Sequence, residues 1–394
     1  MYLKKLELKN YRNYSQVNLG FDKNTILILG NNGNGKTNLL ESVYYLSTGK
    51  SHKTYSQDEI IKWGTNYSTI KAIIGSETDK QPDCFIEIEL RKNNGTRIKI
   101  DKAHQRKKSD FTSLLPSVIF SPDDLKIIKS GPSERRNFLD GVLEKIDGSY
   151  YKQRLQYQKI VAQRSSLIKS MSGEFNRGSN STLEVWDDNI VRYGIDIIKK
   201  RCSLLNELKT EFKNYMRSFF KGSSVDIFYI FSWDREDMQS NHTNYSGSSA
   251  GVRNNFARGN LRKLFYRRLK ENIKRDLQYK TTTIGPHRDD FIILMNGGNI
   301  RFFGSQGQQR IASISLKLCE LDILKKKAKE DPVLLLDDVF SELDIERKKL
   351  LVKAIGKKFQ TFVTATNISY LDKLDLEFGT RLLIKDNRVT VLDL

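Results

Sequence analysis

Cysteine is scarce: Cys84, Cys202 and Cys319 are the only three in 394 residues, an odd number with no CxxC pair. Neither a disulfide framework nor a zinc site is indicated. No run of about 18 apolar residues offers a membrane span. No heptad is sustained long enough for an extended coiled coil, although a short helical arm is compatible with the pattern, and no internal repeat is present. What remains is the composition of a folded chain, 38% hydrophobic and 29% charged, long enough for two domains. The opening Met1-Tyr2-Leu3-Lys4-Lys5-Leu6-Glu7-Leu8 alternates as a strand does and has none of the layout of an export leader. A reducing, cytoplasmic setting is expected.

Positive charge is plentiful, with a formal net of +20. So much self-repulsion is most simply explained by a polyanionic partner, nucleic acid ahead of an anionic membrane surface. Residues 145–280 hold 26 Lys plus Arg against 14 Asp plus Glu, a net of +12, so the middle third of the chain carries more than half of the excess. Within it, Arg262-Lys263-Leu264-Phe265-Tyr266-Arg267-Arg268 interleaves cations with aromatics and is a candidate contact for DNA phosphates, as is Arg106-Lys107-Lys108. A solvated helix face is the competing explanation for each.

Patterning divides the chain in three. Up to about residue 120, short apolar runs such as Thr25–Leu29, Ser68–Ile74, Phe85–Leu90 and Arg97–Ile100 alternate with turns and predict mixed sheet. From Pro132 to about 280 helix dominates, with Leu204, Leu205, Leu208, Phe212, Tyr215, Phe219 and Phe220 at helical spacing. The Ser-, Asn- and Gly-rich stretch 239–259 reads as a mobile surface loop. Beyond 280, strands at Phe291–Met295, Val333–Leu336 and Thr361–Thr364 alternate with helices at Gln308–Lys327 and Ile345–Phe359. The two ends are expected to be halves of one α/β domain.

Gly30-Asn31-Asn32-Gly33-Asn34-Gly35-Lys36-Thr37 fits GxxxxGK[ST], follows an apolar strand and precedes a helical pattern. Glycines let the backbone N–H groups and a helix N-terminus face phosphates, Lys36 reaches the terminal phosphates of ATP, and Thr37 offers its hydroxyl to Mg2+. Such a loop needs a carboxylate at the end of a neighbouring buried strand, and Leu334-Leu335-Leu336-Asp337-Asp338 provides one. Asp337 is the candidate on the metal side. Asp338 is the candidate to orient or deprotonate the attacking water.

Between those motifs, Ser305-Gln306-Gly307-Gln308-Gln309-Arg310 joins a strand to a long helix. Taken alone it is a polar helix cap. In this order the three elements resemble the head domain of ABC-type ATPases. The resemblance implies that Ser305, Gln306, Gly307 and Gln308 bind the terminal phosphate of ATP held by a second chain, so that a complete site takes two chains. Further segments are similar to the RecF family of bacterial recombinational-repair proteins: Leu8-Lys9-Asn10-Tyr11-Arg12-Asn13-Tyr14, Phe120-Ser121-Pro122-Asp123-Asp124-Leu125, Gly131-Pro132-Ser133-Glu134-Arg135-Arg136-Asn137-Phe138-Leu139-Asp140, Gly285-Pro286-His287-Arg288-Asp289-Asp290, and Leu335 through Asp344.

The implied architecture is an α/β ABC-type ATPase head, residues 1–144 and 276–394, split by a basic helical arm at 145–275. The implied function is an ATP-dependent DNA-binding repair and recombination mediator. It would form a homodimer on ATP, bind gapped DNA or single-strand/duplex junctions, act with RecR and RecO in loading recombinase, and serve replication restart and the SOS response. Arg12 and Asn13 would lie beside the nucleotide, and Ser341 to Asp344 would cross the dimer interface. Three departures from general ABC enzymes stand out. Asp338 replaces a glutamate, implying a slow, DNA-dependent ATPase that serves as a switch; Thr364 or Thr366 replaces a histidine as phosphate sensor; Phe120 to Asp124 occupies the place of a lobe-coupling glutamine. His287 and Arg288 have no assigned role. Two other classes compete: a transporter's nucleotide-binding subunit, disfavoured by the basic insertion, and a condensin-like protein, disfavoured by length.

Overall fold

Alternation of apolar and charged residues near the start of the chain builds a six-stranded antiparallel sheet in the computed structural model. The structure describes residues 1–392 except 55, 76–81, 94, 102, 106–113, 172–176, 235–260, 328–330, 357, 372, 373 and 375. The expected loop at 239–259 and the Arg106-Lys107-Lys108 cluster lie outside the described residues. The chain forms two compact units, Met1–Asp124 with Leu316–Leu394, and Leu125–Ser315.

In the first unit the antiparallel sheet runs in the order Tyr14–Gly20, Tyr2–Tyr11, Tyr67–Gly75, Cys84–Arg91, Gly95–Ile100, Ala103–Gln105. Leu6, Leu8, Ile70, Ala72, Ile86, Ile88 and Ile98 fill its buried face. Its other face carries charges in opposed cross-strand pairs, such as Lys71 with Glu87 at 3.4 Å and Lys99 with Glu87 at 3.5 Å. A second six-stranded sheet has the order Arg388–Leu392, Phe378–Lys385, Thr25–Leu29, Thr361–Ala365, Val333–Asp337, Ser117–Phe120. Apart from the antiparallel Arg388–Leu392 edge its strands are parallel. Val333–Asp337 and Thr361–Ala365 are buried at every residue, which is why they read as unbroken apolar runs rather than alternating ones. Both sheets contribute to one core, through Leu6, Leu8, Ile70, Ile26, Ile28, Leu335 and Phe362, with Leu39, Leu40 and Val43 of the helix Lys36–Thr48.

The second unit contains the long helices Pro132–Ile146, Tyr150–Ser170 and Arg177–Phe219, the shorter Leu261–Glu271 and Ile273–Tyr279, and a three-stranded sheet. One strand of that sheet interrupts the stretch in which helix was expected to dominate. Val225–Ile230 forms a strand and pairs antiparallel with Asp290–Met295, Val225 opposite Met295 and Ile230 opposite Asp290. Buried Val225 and Ile227 show the two-residue period, which the neighbouring helical periodicity obscures in sequence. The division between units therefore falls before residue 144 and after residue 276. The helix Pro132–Ile146 belongs with the insertion because Phe138 packs edge-on against Phe291, ring centroids 6.4 Å apart, and Arg135 pairs with both carboxylate oxygens of Asp290 at 2.6 and 3.0 Å.

Arg164 ties the helices of this unit together. Fully buried, it donates to Asp187 at 2.6 Å, to Asp276 at 2.5 Å and to the Thr282 hydroxyl at 3.1 Å. Removing the cation leaves two buried carboxylates without their partner, the situation in which breaking a buried pair costs most. Arg164→Met is expected to lower stability by about 3–5 kcal/mol in urea unfolding at neutral pH, with the deficit narrowing at acid pH as Asp187, whose pKa burial already raises, protonates. A loss below about 1 kcal/mol, the size of an exposed pair, would show that this network does not hold the helices.

Candidate functional site

The strand Thr25–Leu29 delivers the chain into Gly30–Gly35, and the helix Lys36–Thr48 begins immediately after. Gly30 has φ +156° and Gly35 φ +106°; a Cβ at Gly30 would lie 2.5 Å from the Ile384 carbonyl oxygen, and one at Gly35 would lie 2.5 Å from Asn13 Nδ2. The loop is a close backbone cradle that only glycine permits at these points. Lys36 Nζ donates to the Gly30 and Asn31 carbonyls at 2.7 and 3.1 Å, so the ammonium is folded back over the loop. Burial presses its pKa downward against the pull of Asp338 and Asp337.

Asp337 ends its strand beside this loop, though not on the adjacent strand. Thr361–Ala365 lies between, parallel to both. Register places Thr364 opposite Asp337, and Thr364 Oγ1 donates to Asp337 Oδ1 at 2.9 Å while Thr37 Oγ1 donates to the same oxygen at 3.0 Å. Burial raises the Asp337 pKa, and these two hydroxyls oppose the rise. Asp338 follows in the left-handed region, φ 52°. Its N–H donates to Thr364 Oγ1 at 2.9 Å and its carbonyl accepts from Ser341 Oγ at 2.8 Å. The backbone is thereby pinned while the half-buried carboxylate makes no hydrogen bond or ion pair among the described residues. Thr366, the alternative sensor, lies past the end of the strand.

Arg12 and Asn13 occupy the turn between the first two strands and take different paths. Asn13 Nδ2 donates to the Asn34 carbonyl at 3.3 Å and to Asn387 Oδ1, while its Oδ1 accepts from Asn38 at 2.9 Å. Asn13 is thus braced against the loop. Arg12 instead grips Glu41, with Nε and Nη2 at 2.8 and 2.6 Å from its two oxygens. Burial would raise the Glu41 pKa, but hydrogen bonds from Arg12 and Ser51 outweigh it and hold the carboxylate ionised below its usual range. Two residues here had been given no role from sequence: Tyr14, whose hydroxyl donates to the Gly35 carbonyl at 3.0 Å, and Lys53, which donates to Asn38 Oδ1 at 3.4 Å; Asn34, within the phosphate loop, donates to the Ile384 carbonyl at 3.1 Å. Tyr14 sits in the same Arg-Asn-Tyr run as two candidates, which is the one signal that pointed to it.

A glycine-bounded backbone loop, a lysine folded along it and the hard oxygens of Thr37 and Asp337 3.0 Å apart form a cradle suited to a triphosphate and a small divalent cation. Thr37 and Asp337 are the residues that would hold Mg2+.

Elsewhere in the first unit, Asp124 closes the Phe120–Asp124 segment by accepting from the Ser121 N–H at 2.7 Å. Burial pushes its pKa up to about 6 against the pull of Lys317. An acid in the field of Lys317, whose own ion pair is with Glu320, therefore stands where the resemblance places a glutamine.

In the second unit, Ser305 caps the helix Gln306–Lys327. Its hydroxyl accepts from the Gln308 N–H at 3.2 Å and its own N–H donates to Gln308 Oε1 at 2.8 Å, a reciprocal capping box. Gln309 is buried and donates to the Ile300 and Arg301 carbonyls at 3.1 and 3.0 Å, fixing the approach to the helix. Ser305 and Gln306 themselves are exposed. Just before them Phe302 and Phe303 are 67% and 70% exposed. His287 has a structural place: Nδ1 accepts from Tyr157 at 2.8 Å, Nε2 donates to the Thr282 carbonyl at 3.0 Å, and burial pushes its pKa down to about 4. In the helix Leu261–Glu271, Arg262, Lys263 and Arg267 are exposed, but Arg267 and Arg268 both approach Glu271, at 3.6 and 3.2 Å.

The RecF/RecN/SMC N-terminal domain model matches residues 2–386. The DNA replication and repair protein RecF of Clostridium tetani is 38% identical over 373 residues, 95% of each chain. That of Clostridium botulinum (strain ATCC 19397) is 38% identical over 390 residues, 99% of each. A solved structure of the recombination mediator protein RecF with ATP, of the RecFOR pathway, superposes with a TM-score of 0.83 at 34% identity, covering 100% of this chain and 98% of that one. A solved Smc head is 14% identical with a TM-score of 0.55, covering 100% of this chain and 98% of that one, and shares the fold.

Gly35→Ala is expected to lower ATP affinity at least tenfold in calorimetric titration, since the new methyl must displace Asn13 or Tyr14 and hold φ +106°. Unchanged affinity would mean that the observed loop is not the binding conformation.

Proposed function

The chain belongs to the RecF family, with its ABC-type ATPase head split by a helical insertion, and on that premise we propose that it is a DNA repair and recombination mediator switched by ATP. The observation that carries the proposal is the convergence of Thr37, Asp337 and Thr364 on one carboxylate oxygen beside the phosphate loop. Lys36, folded onto the loop carbonyls, exchanges them for the β- and γ-phosphates when ATP enters. Thr37 and Asp337 would hold Mg2+, which when bound would supply positive charge against the phosphate oxygens. Thr364 keeps Asp337 oriented and the Asp338 N–H engaged. Asp338 accepts the proton of the attacking water; being one methylene shorter than glutamate it reaches water poorly, and turnover is slow.

The site is completed by a second copy. Ser305 and Gln306 are exposed at a helix N-terminus and are preceded by two exposed phenylalanines, the kind of apolar surface that marks an interface. With ATP and Mg2+ bound, Ser305, Gln306, Gly307 and Gln308 of one chain meet the terminal phosphate held by the other, and Ser341 to Asp344 line the seam. DNA is the ligand of the dimer, favoured by the net charge of +20, with gapped DNA or junctions as its target. Family membership supports action with RecR and RecO in loading recombinase, in replication restart and the SOS response, within the cytoplasm.

Sedimentation tests the central step. The wild-type chain is expected to shift from monomer to dimer with ATP and Mg2+, and Ser305→Arg to remain monomeric while binding ATP with unchanged affinity. Normal dimerisation of Ser305→Arg would remove the signature helix from the interface. Asp338→Asn is expected to slow phosphate release at least tenfold and to prolong the dimer; undiminished turnover would remove Asp338 from catalysis.

A further inference from the structure

The most exposed large hydrophobic side chain among the described residues is Trp63, at 97%. Burial of an indole is worth several kcal/mol in cores and interfaces, so a ring left wholly in water invites a partner. Its exposure is built rather than incidental. Thr65 N–H closes a tight turn on the Lys62 carbonyl at 3.1 Å, and the Thr65 hydroxyl donates to the same oxygen at 2.8 Å. Before the turn, Ile60 and Ile61 are buried. Lys62 N–H donates to the Asn10 carbonyl at 2.9 Å, and Arg12 N–H donates to the Ile60 carbonyl at 2.7 Å. A rigid turn, stapled to the first strand, presents the ring.

The surroundings select the partner's chemistry. Lys62 Nζ rests on the Ser15 hydroxyl. Lys9 Nζ lies 5.6 Å over the Tyr67 ring. Lys92 follows the paired strand and its N–H reaches the Asn66 carbonyl at 3.1 Å. None of the three lysines forms an ion pair among the described residues, whereas Glu59 of the preceding segment accepts the Thr54 hydroxyl. Cations outside any ion pair, near an exposed indole, are the arrangement that tracks a phosphate backbone and stacks an unpaired base. Bases within a duplex are stacked on one another and are not available to such a ring.

We propose that the Lys62–Thr65 turn is a contact for single-stranded DNA, with Trp63 stacking on a base and Lys9, Lys62 and Lys92 holding the adjoining phosphates. This rests on the reading of the protein as DNA-binding and specifies the form of DNA: the unpaired side of a gap or junction. It is independent of the Arg262–Arg268 helix.

The test is a titration of the ATP-loaded protein with oligothymidine and with a blunt duplex of equal length, followed by anisotropy and by tryptophan emission. Of the three tryptophans, Trp233 is stacked 4.7 Å from Phe231 and Trp186 is partly buried, so quenching by a stacked base reports on Trp63. Oligothymidine is expected to quench the wild-type emission. Trp63→Ala is expected to lose that quenching and about tenfold in single-strand affinity, while duplex affinity changes less than twofold. Trp63→Phe is expected to recover most of the single-strand affinity. Single-strand affinity unchanged in Trp63→Ala overturns the proposal while leaving the DNA-binding reading intact, and assigns the exposed ring to a protein partner. An equal loss for duplex also overturns it. Failure of the wild-type protein to bind any DNA overturns the underlying reading and this proposal with it.

Discussion

One carboxylate oxygen, Asp337 Oδ1, receives hydrogen bonds from Thr37 on the phosphate-loop helix and from Thr364 on the strand between. Through it three elements far apart in sequence are held in one register. The parallel pairing of Thr25–Leu29, Thr361–Ala365 and Val333–Asp337 brings the three side chains to the same end of the sheet, where ligands of open parallel sheets bind. Burial raises the Asp337 pKa and those two hydroxyls oppose the rise; a cation joining them would favour the ionised form further, which is why the proposed metal–phosphate ligand suits this acid.

Around that oxygen the loop is braced from outside. Asn13 and Tyr14 reach Asn34, Asn38 and Gly35 from the turn of the first hairpin, and Asn34 reaches the Ile384 carbonyl. Arg12, in the same turn, grips Glu41 and also donates to the Glu59 carbonyl at 2.8 Å. Glu59 leads into the turn that carries Trp63. The hairpin is therefore shared mechanically by the phosphate loop and by the surface assigned to unpaired DNA.

Much of the site was legible in sequence because its requirements are local. Gly30 to Thr37 announce themselves since only glycine tolerates the φ values and close approaches of Gly30 and Gly35, and the hydroxyl must follow the lysine. Asp337 was legible as an acid ending an apolar run, but the strand between it and the loop was not, because strand order is a tertiary fact. Thr364 stood as one of two candidates; register places it opposite Asp337, a tertiary fact that the sequence does not carry. Glu41 and Lys53 carried no signal, since their partners are distant in sequence or were assigned other work. Val225–Ile230 was hidden by the helical periods on either side, and with it the attachment of Asp290–Met295 to the insertion. Ser305 was read both as a helix cap and as a phosphate ligand. The capping box with Gln308 shows the first role, and its exposure leaves it available for the second.

A crystal structure with a non-hydrolysable ATP analogue and Mg2+ bound tests the half-site idea most directly. The expected result is a two-fold dimer in which Mg2+ engages Thr37 and Asp337, Lys36 has left the Gly30 carbonyl for phosphate, and Ser305 of the second copy meets the terminal phosphate. A fully ordered nucleotide–metal complex on a lone chain, with Ser305 facing solvent, would contradict it.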